Sequence, residues 1–494
     1  MPVRLSDNSL KDFDLARKPV YDRRDITPGI LHIGIGGFHR AHQAVYTEDV
    51  LAGGDHRWGI IGASVRSTTM RNRLIPQNFL YTVCTKGADS NEYRVIGAVK
   101  DVLTISQHQH QLLDLIASPQ IKVITLTITE KGYCLTPSRE LDEQHPDIQH
   151  DLSNPGSPVS APGLLATGLK QRMEQGSGPI SIISCDNLSS NGRSTQKAVT
   201  AIAGLYAGEH AGEHAGEHAG EHAHWIRDHV SFPNTMVDRI VPATSDTDTL
   251  RFLQETGIED NGLVICEPFS QWIIENSFAA ERPEWESAGA QIVDDVAAYE
   301  QIKLRLLNTT HSALAYLGLL AGYEFIHEAM ADPVLSGFST YLLDKEISPL
   351  LQSPGGFDLE HYKRSILERF ANPAIHYRTA QVANDGSHKL QQRIYPTIAE
   401  HSRRNTDSPG LVLVVAAWLH CLNTAKYASQ FSDPAAEIIR TYSGDNLVER
   451  VSSESTSFGV IWEDAKFRTQ IKDAAAELKQ SSVQTLLQRI MVSN

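Results

Sequence analysis

The sequence predicts an α/β fold, with a parallel doubly wound sheet followed by a mainly α-helical domain, and three observations support this prediction. First, ILHIGIGGF at residues 30–38 is an apolar strand-like run that meets a glycine cluster, and a helix-like segment follows it. Second, strand-like runs recur at 57–65, 121–129 and 179–185 and alternate with helical segments, which is typical of parallel sheets. Third, the chain after about residue 295 consists of long amphipathic segments.

Length and charge limit the classes of function. A chain of 494 residues with 41% hydrophobic and 21% charged residues is ordinary globular protein, long enough for about two to four domains. The net charge of −15 disfavours binding to nucleic acid or to an anionic membrane, because both need a basic face. We therefore expect a small-molecule partner.

The two segments that bear on location are the N-terminus and the longest apolar run. The N-terminus lacks the apolar region of a signal peptide, and the run at 411–422 is too short to span a bilayer.

The five cysteines form no CxxC pair, so neither a disulfide framework nor a zinc ribbon is indicated. These features predict a cytoplasmic protein with reduced, mostly buried thiols.

A low-complexity tract repeats AGEH four times in tandem at 207–222, which places four histidines one helical turn apart: His210, His214, His218 and His222. Histidines at this spacing can bind a divalent metal, so a non-catalytic metal-binding protein is the alternative from another class. The repeated glycines weaken a helix by up to ~1 kcal/mol each. We interpret the tract as a repeat expansion in a surface helix or loop.

The glycine cluster GIGGFHRAH predicts a dinucleotide-binding turn. Gly34 and Gly36 can form a tight turn that lets backbone N–H groups approach a pyrophosphate at the start of a helix. The second strand is followed by Arg66 rather than by the acid that usually binds the ribose 2′-OH of NAD, and an arginine suits the 2′-phosphate of NADP. The pattern predicts a Rossmann-like domain over residues 1–294 and a helical substrate-binding and catalytic domain over residues 295–494.

The stretch KLRLLNTTHSAL places Lys303, Asn308 and His311 in an otherwise apolar helix-like segment. At about 100° per residue they fall within one broad helical face. A desolvated lysine can act as the base in alcohol oxidation without a metal, and an asparagine amide can stabilise the developing alkoxide. A second donor can come from Asn187 or Asn191, which follow the strand-like run at 179–185.

Seven ordered motifs carry a resemblance over nearly the whole chain: GIGGFHRAHQAVYT, TLTITEKGYC, SCDN with NG, FPNTMVDRIVP, CEPFSQWIIE, KLRLLNTTHSALAYLG and NDGSHK. The sequence resembles the mannitol dehydrogenase family, the polyol-specific, zinc-independent long-chain dehydrogenases. The resemblance implies an NAD- or NADP-dependent oxidoreductase that needs no metal and acts on a polyol, aldonate or ketose, in a family that is commonly monomeric.

The resemblance also implies a role for individual side chains. Lys303 would be the general base, Asn191 and Asn308 would stabilise the oxyanion, and His311 would position the alcohol. The remaining candidates are Glu300 on the proton path, Asp238, Lys389, Gln381 and Arg378 on the substrate, and Gly34, Gly36, Gly37, Phe38, His39 and Arg66 on the cofactor.

The position eight residues before Lys389 departs from one branch of the family. Mannitol 2-dehydrogenases have an arginine there, and this sequence has Gln381. The residues around this position are more similar to the fructuronate reductase branch of the family. The side chains of Arg378 and Arg393 would suit the carboxylate of such a substrate. We expect D-mannonate/D-fructuronate slightly ahead of D-mannitol/fructose as the substrate pair.

Overall fold

The computed structural model describes residues 2–88, 90–136, 138–209, 220–441, 447–454 and 458–493. The chain forms two compact units, Met1–Ala297 and Ala298–Asn494. Among the described residues, none of the helices combines the length and the apolar character needed to cross a membrane.

Unit 1 holds the strands of the described chain. In chain order they are β1 Val3–Arg4, β2 Ala16–Arg17, β3 Pro28–Ile33, β4 Gly59–Ser64, β5 Tyr81–Lys86, β6 Asn91–Ile96, β7 Val99–Thr104, β8 Val123–Leu126, β9 Ile180–Ser184, β10 Val230–Ser231, β11 Thr235–Asp238, β12 Ile258–Glu259, β13 Val264–Cys266, β14 Gln271–Glu275 and β15 Gln291–Val293. The helices of unit 1 are α1 Gly37–Ala41, α2 Gln43–Ala52, α3 Thr69–Leu74, α4 Ile105–Ala117, α5 Pro146–Ser153, α6 Ala161–Glu174, α7 Asn191–Glu209, α8 Glu221–His229 and α9 Asp246–Thr256.

The central sheet of unit 1 has six parallel strands in the order β10-β9-β8-β3-β4-β7. The chain moves outward from β3 through β4 to β7, then returns to pair β8 with the other side of β3. The strand order therefore reverses between β3 and β8, as it does in the Rossmann fold. The four strand-like runs of the sequence are confirmed as β3, β4, β8 and β9.

Apolar residues of β3 alternate between two cores because neighbouring side chains of a strand point to opposite faces. Leu31 and Ile33 are fully buried with α4, α6 and α7, whereas Ile30 packs with α2. Both faces of the sheet are thus covered by helices, which explains why its strands read as nearly continuous apolar runs.

Every regular element described in unit 2 is helical, which confirms the mainly α-helical prediction. The helices are α10 Ala297–Ile302, which begins one residue before the boundary, α11 Thr309–Ala321, α12 Ile326–Ala331, α13 Pro333–Tyr341, α14 Leu359–Ala371, α15 Thr379–Ala383, α16 Gly386–Arg393, α17 Tyr395–Arg403, α18 Pro409–Asn423, α19 Ala425–Ala428, α20 Ala436–Thr441, α21 Leu447–Ser453, α22 Ala465–Gln480 and α23 Val483–Ser493. Two π-helices, Lys303–Asn308 and Leu342–Ile347, interrupt the series.

Helix α18 forms the centre of unit 2. Its residues Leu411–Leu419 are at most 4% exposed, so the helix is buried on all sides between α11 and α22. A helix that is apolar all round belongs in the interior of a large domain. The long apolar run at 411–422 in the sequence is therefore a core helix. All five cysteines are free and buried, as predicted.

Candidate functional site

A cavity of about 460 Å³ opens in unit 1 at the point where the strand order reverses. Most of its lining comes from segments at the carboxyl ends of three strands: Gly34–Gly36 after β3, Ser64–Ser67 at the end of β4, and Thr127–Thr129 after β8. Doubly wound sheets bind ligands at this place, beyond the carboxyl ends of the strands. The cavity is therefore the candidate dinucleotide site.

The glycines after β3 fit a dinucleotide because they keep the backbone close to the cavity. Gly34 has φ +102°, and a β-carbon there would lie 2.1 Å from the carbonyl oxygen of Thr127, so only glycine is accommodated. A β-carbon added at Gly36 would have its nearest neighbouring atom 3.8 Å away, which leaves open space in front of the start of α1. A pyrophosphate can approach the backbone N–H groups in this space.

His32 holds the turn to the neighbouring strand and was not identified from the sequence. Its Nδ1 lies 2.7 Å from Thr125 Oγ1, and its Nε2 lies 3.1 Å from the carbonyl oxygen of Gly34 and 3.0 Å from Thr127 Oγ1. Burial lowers the pKa of this imidazole to about 3, so it is neutral. The sequence signal that could have identified His32 is its position as a polar residue inside an apolar strand.

The segment after β4 offers hydroxyl groups and a cation to the cavity, but no acid. Ser64, Arg66 and Ser67 line it, and the Arg66 side chain is 82% exposed. An acid comes instead from Asp147 of α5, whose carboxylate lies 3.6 Å from the Arg66 guanidinium. Lys131 adds a second cation to the lining. Neither Asp147 nor Lys131 was predictable as part of this cavity, because both are far along the chain from β4.

Asp186 fixes the segment after β8. Its carboxylate accepts hydrogen bonds from the backbone N–H groups of Ile128 and Thr129, each at 2.9 Å, and from the Tyr133 hydroxyl at 2.7 Å. Burial raises the pKa of Asp186, although these three donors oppose the rise. The cavity wall is thus held by a nearly buried carboxyl, which the SCDN motif contained but sequence reasoning did not single out.

Three further cofactor candidates lie beside the cavity lining rather than in it. A β-carbon on Gly37 would make ordinary contacts with Val241 and Val264, so α1 packs against the protein there. Phe38 stacks on His42 with ring centroids 5.0 Å apart. His39 is fully buried and stacks on His32.

Asn191 and Asp238 lie in the interior of unit 1. Asn191 begins α7, and its amide donates to the carbonyl oxygens of Asp186 at 3.1 Å and Thr235 at 3.0 Å. Its amide oxygen accepts the backbone N–H of Thr235 at 2.9 Å. Asp238 ends β11 and is 3% exposed. An oxyanion role for Asn191 requires its amide to exchange one of these acceptors for the substrate.

The opening lysine of the KLRLLNTTHSAL stretch is buried and begins a π-helix, Lys303–Asn308, that runs directly into α11. The uniform α-helical spacing assumed from the sequence is therefore wrong for residues 303–308. A π-helix closes i→i+5 hydrogen bonds and so has more residues in each turn. Residues five apart, such as Lys303 and Asn308, consequently come closer to a common side than in an α-helix.

His311 is held by aromatic rings. It is 9% exposed, stacks on Phe370 with centroids 4.7 Å apart, and meets the edge of Tyr377 at 5.1 Å. Desolvation raises the pKa of the Tyr377 hydroxyl, and the positive charge of Arg393 opposes the rise. The imidazole is thus fixed in orientation on the helix that follows the Lys303–Asn308 segment.

Arg393 at the end of α16 braces the junction between the π-helix and α11. Its guanidinium donates to the carbonyl oxygen of Asn308 at 3.2 Å and to Ser312 Oγ at 2.9 Å. In return, Thr309 Oγ1 donates to the carbonyl oxygen of Arg393 at 2.9 Å. The sequence suggested Arg393 as a carboxylate ligand on a rim, whereas the structure gives it contacts that support the Asn308 backbone.

The other substrate-binding candidates differ in exposure. Lys389 is half-buried and its Nζ donates to the carbonyl oxygen of Val382 at 3.2 Å. Gln381 is exposed. Arg378 is 62% exposed and forms an ion pair with Glu324 at 3.0 Å. Glu300 is half-buried on α10, three residues before Lys303.

The AGEH tract is described only in part. His210, His214 and His218 lie outside the described residues. His222 belongs to α8 and is 6% exposed, and burial lowers the pKa of its imidazole to about 4.

Comparison with known proteins gives first the class and then the family. The Rossmann strand order, the glycine turn and the cavity at the switch point are those of the dinucleotide-binding class of proteins. The family models for the mannitol dehydrogenase Rossmann domain and the mannitol dehydrogenase C-terminal domain match residues 28–287 and 295–479. The chain belongs to the mannitol dehydrogenase family.

Three relatives show how far the likeness extends. D-mannonate oxidoreductase of Escherichia coli K12 is 39% identical over 407 residues, 81% of each chain. Mannitol 2-dehydrogenase of Aspergillus fumigatus is 35% identical over 507 aligned residues, 98% of this chain and 99% of the relative. The solved structure of Pseudomonas fluorescens mannitol 2-dehydrogenase, a ternary complex with NAD and D-mannitol, matches all of both chains with a TM-score of 0.90 at 38% identity.

Proposed function

We propose that this protein interconverts a secondary alcohol of a sugar acid or polyol with the corresponding ketone, using Lys303 as the general base. The observation that carries the proposal is the placement of a buried lysine at the start of a π-helix that leads directly to Asn308 and His311. π-Helical turns are rare and recur at functional sites.

The surroundings of Lys303, Asn308 and His311 support the roles proposed for them. The Lys303 amine takes the hydroxyl proton during oxidation and returns it during reduction, with Glu300 one helical turn away on the proton path. The Asn308 amide, on a backbone braced by Arg393, donates to the developing alkoxide. His311, clamped by Phe370 and Tyr377, orients the reacting hydroxyl. Asn191 is proposed as the second amide donor because of the family resemblance alone; its amide would first have to release the carbonyl oxygen of Asp186 or of Thr235.

Replacement of the base tests this assignment. We expect Lys303→Ala to lower turnover by about 10² to 10⁴, the usual contribution of a general base, with cofactor binding preserved. Lys345→Ala is the matched control, because Lys345 is an exposed residue of the other π-helix. Turnover of Lys303→Ala within a few-fold of the parent at neutral pH would mean that another group takes the proton.

The cofactor proposed for the cavity in unit 1 is NAD or NADP, which accepts or donates the hydride when bound. Gly34 and Gly36 would lie against the pyrophosphate, and Arg66 with Lys131 would face the adenosine ribose. The Pseudomonas relative was solved with NAD. In this chain the basic lining and the serines after β4 favour acceptance of a 2′-phosphate as well, in exchange for the contact between Arg66 and Asp147.

Cofactor choice is tested at Arg66. We expect Arg66→Ala to raise the KM for NADPH more than the KM for NADH, because only NADPH offers a phosphate to the guanidinium. Arg73→Ala, on the exposed side of α3, is the control. Equal changes for both cofactors would remove the phosphate-binding role of Arg66.

For the substrate we propose the pair D-mannonate/D-fructuronate, with D-mannitol/fructose as the second candidate. The first is supported by the identity with the E. coli D-mannonate oxidoreductase and by Gln381, which replaces the arginine of the mannitol 2-dehydrogenase pattern. The second is supported by the match to the Pseudomonas structure. A carboxylate at Arg378 would have to displace Glu324, its present ion-pair partner.

The deciding assay measures initial rates with fructuronate and with fructose, each against NADH and NADPH, in the presence of a chelator. Faster reduction of fructuronate would establish the first pair, and faster reduction of fructose the second. A variant without residues 207–222 addresses the metal-binding alternative. Loss of turnover in that variant, with its fold intact, would contradict the assignment of activity to Lys303 and its neighbours.

A further inference from the structure

A cluster of three potential metal ligands lies at the wall of the cavity in unit 1 and has no part in the proposed chemistry. Among the residues that the structure describes, Cys134, His145 and Asp147 form the single group of this kind, with ligand atoms all within 4.8 Å of one another. Cys134 is buried, and the other two are half-buried. The set combines one sulfur, one nitrogen and one oxygen ligand.

The chemistry of this donor set selects the cation. Zn²⁺ binds cysteine sulfur, histidine nitrogen and carboxylate oxygen at about 2.0–2.3 Å in tetrahedral geometry, which places ligand atoms about 3.5 Å apart. The separations, all within 4.8 Å, exceed that value by about 1.3 Å at most, a distance that side-chain rotation can close. Mg²⁺ and Ca²⁺ prefer oxygen ligands throughout and do not suit a thiolate.

The three ligands are carried by anchored segments. Cys134 follows the 3₁₀-helix Glu130–Tyr133, and its carbonyl oxygen accepts the backbone N–H of Asp142 at 2.8 Å. His145 is the N-cap of α5, and its Nδ1 accepts the backbone N–H of Asp147 at 3.2 Å. Metal binding removes this cap because Nδ1 then either binds the metal or carries the ring proton. Three metal bonds contribute more than this single cap, so the exchange favours the metal.

Occupation of the cluster would change the cofactor cavity. Cys134 and Asp147 both line it, and Asp147 is the ion-pair partner of Arg66. A cation on Asp147 takes this carboxylate from Arg66 and adds positive charge and bulk to the cavity wall. The dinucleotide and the metal then compete for the same space.

We propose that Cys134, His145 and Asp147 form an inhibitory site for a zinc-type divalent cation that competes with the dinucleotide. The metal site itself is independent of the proposed function, whereas the competition rests on the proposed use of this cavity by NAD or NADP. Zinc is therefore expected to oppose turnover rather than to support it.

The binding test uses Co²⁺ as a spectroscopic substitute for Zn²⁺ on the full-length protein. We expect a near-ultraviolet thiolate-to-cobalt charge-transfer band that is lost in Cys134→Ser and at least tenfold weaker in apparent affinity in His145→Gln. His150→Gln is the matched control on the same helix and should keep the parent affinity. The AGEH tract contains no cysteine and cannot produce the band.

The kinetic test adds Zn²⁺ and then a chelator. We expect Zn²⁺ to raise the KM for NADH several-fold without lowering kcat, the chelator to reverse this, and His145→Gln to be less sensitive than His150→Gln. Absence of the cobalt band at millimolar Co²⁺, or its persistence in correctly folded Cys134→Ser, would overturn the metal site. A normal band with an unchanged KM for NADH would overturn the competition. Because the band needs no turnover, it is readable even in a protein without dehydrogenase activity.

Discussion

Glu346 provides a quantitative prediction about the stability of unit 2. It lies in the π-helix Leu342–Ile347, is 2% exposed, and accepts the backbone N–H groups of Gly410 at 2.8 Å and Leu411 at 2.9 Å in the first turn of α18. Burial raises the pKa of Glu346 to about 7 from an ordinary 4.5, although these hydrogen bonds oppose the rise. The folded protein therefore keeps a proton that the unfolded chain has already released.

The sign of the pH effect follows from this difference. Between about pH 4.5 and pH 7 the folded state binds more protons than the unfolded state, so the free energy of unfolding falls as the pH rises. At about 1.36 kcal/mol for each pH unit, the loss is about 3 kcal/mol across this window. Glu346→Gln cannot ionise and should remove the loss, although its amide NH₂ faces a backbone N–H and lowers stability at every pH by about 1–3 kcal/mol.

Hydrogen exchange of the peptide that contains Gly410 and Leu411 measures the local stability around Glu346 directly. A global unfolding experiment would have to treat the two units as one transition. After correction for intrinsic exchange, protection in the parent should fall roughly 100-fold between about pH 4.5 and pH 7. Glu346→Gln should show a flat profile.

Glu400→Gln is the control for this experiment. Burial is the largest single effect there and raises the pKa of Glu400, but the hydrogen bonds and positive charges of Arg305 and Arg404 together outweigh it, so the pKa is lowered. The stability that this carboxylate contributes is lost only at more acidic pH, so its replacement should leave the fall between about pH 4.5 and pH 7 unchanged. A parent protein whose protection is constant over this range would refute the reasoning.

Three further predictions concern the walls of the site. Gly34→Ala should lower the free energy of unfolding by about 3 kcal/mol and raise the KM for the dinucleotide. The reason is that Gly34 has a φ of +102° and that the Thr127 carbonyl leaves no room for a β-carbon. Gly54 has a similar φ but open space around it, so Gly54→Ala should lose stability through backbone strain alone. Asp186→Asn should raise the same KM about tenfold through loosening of the 127–129 segment, measured by initial rates at varied NADH, and an unchanged KM would contradict this positioning role. Arg393→Met should lower the free energy of unfolding, measured by thermal denaturation, by about 1–3 kcal/mol, and should lower kcat more than it raises KM. Arg378→Met is the control: it removes only an exposed ion pair and should change the free energy of unfolding by less than about 0.5 kcal/mol.

The parts of the fold that were predictable from the sequence depend on local patterns. Apolar runs with a glycine turn, such as the one at 30–38, identify β3 and the start of α1 because strand burial and backbone approach impose them directly. The parallel sheet was predictable because strands and helices alternate along the chain. Which strands lie next to each other in the sheet was not, because alternation does not specify the strand order.

The parts that were not predictable depend on contacts between distant residues. Asp147 faces Arg66 although 81 positions separate them, and Arg393 supports Asn308 although 85 positions separate them. The periodicity of apolar residues along the chain does not indicate contacts between residues so far apart. The π-helix at Lys303–Asn308 was missed for a related reason: its residues have ordinary helix propensity, and the change in hydrogen bonding arises from packing around the segment.

That π-helix also allows the segment to lose one residue without a change of helical register. Because it accommodates one residue more than the α-helical turns on either side, removal of a single residue between Lys303 and Asn308 would restore continuous α-helix instead of breaking the chain. A π-helix has about 4.4 residues per turn, so its six residues cover nearly the same rotation as about five α-helical residues, and the side chains on either side of the deletion would keep their relative orientation. A frame-preserving one-codon deletion would thus leave a folded helix in which Lys303 and His311 still share a face, so it would remove the π-helical hydrogen bonds and one side chain without changing the register of these two residues.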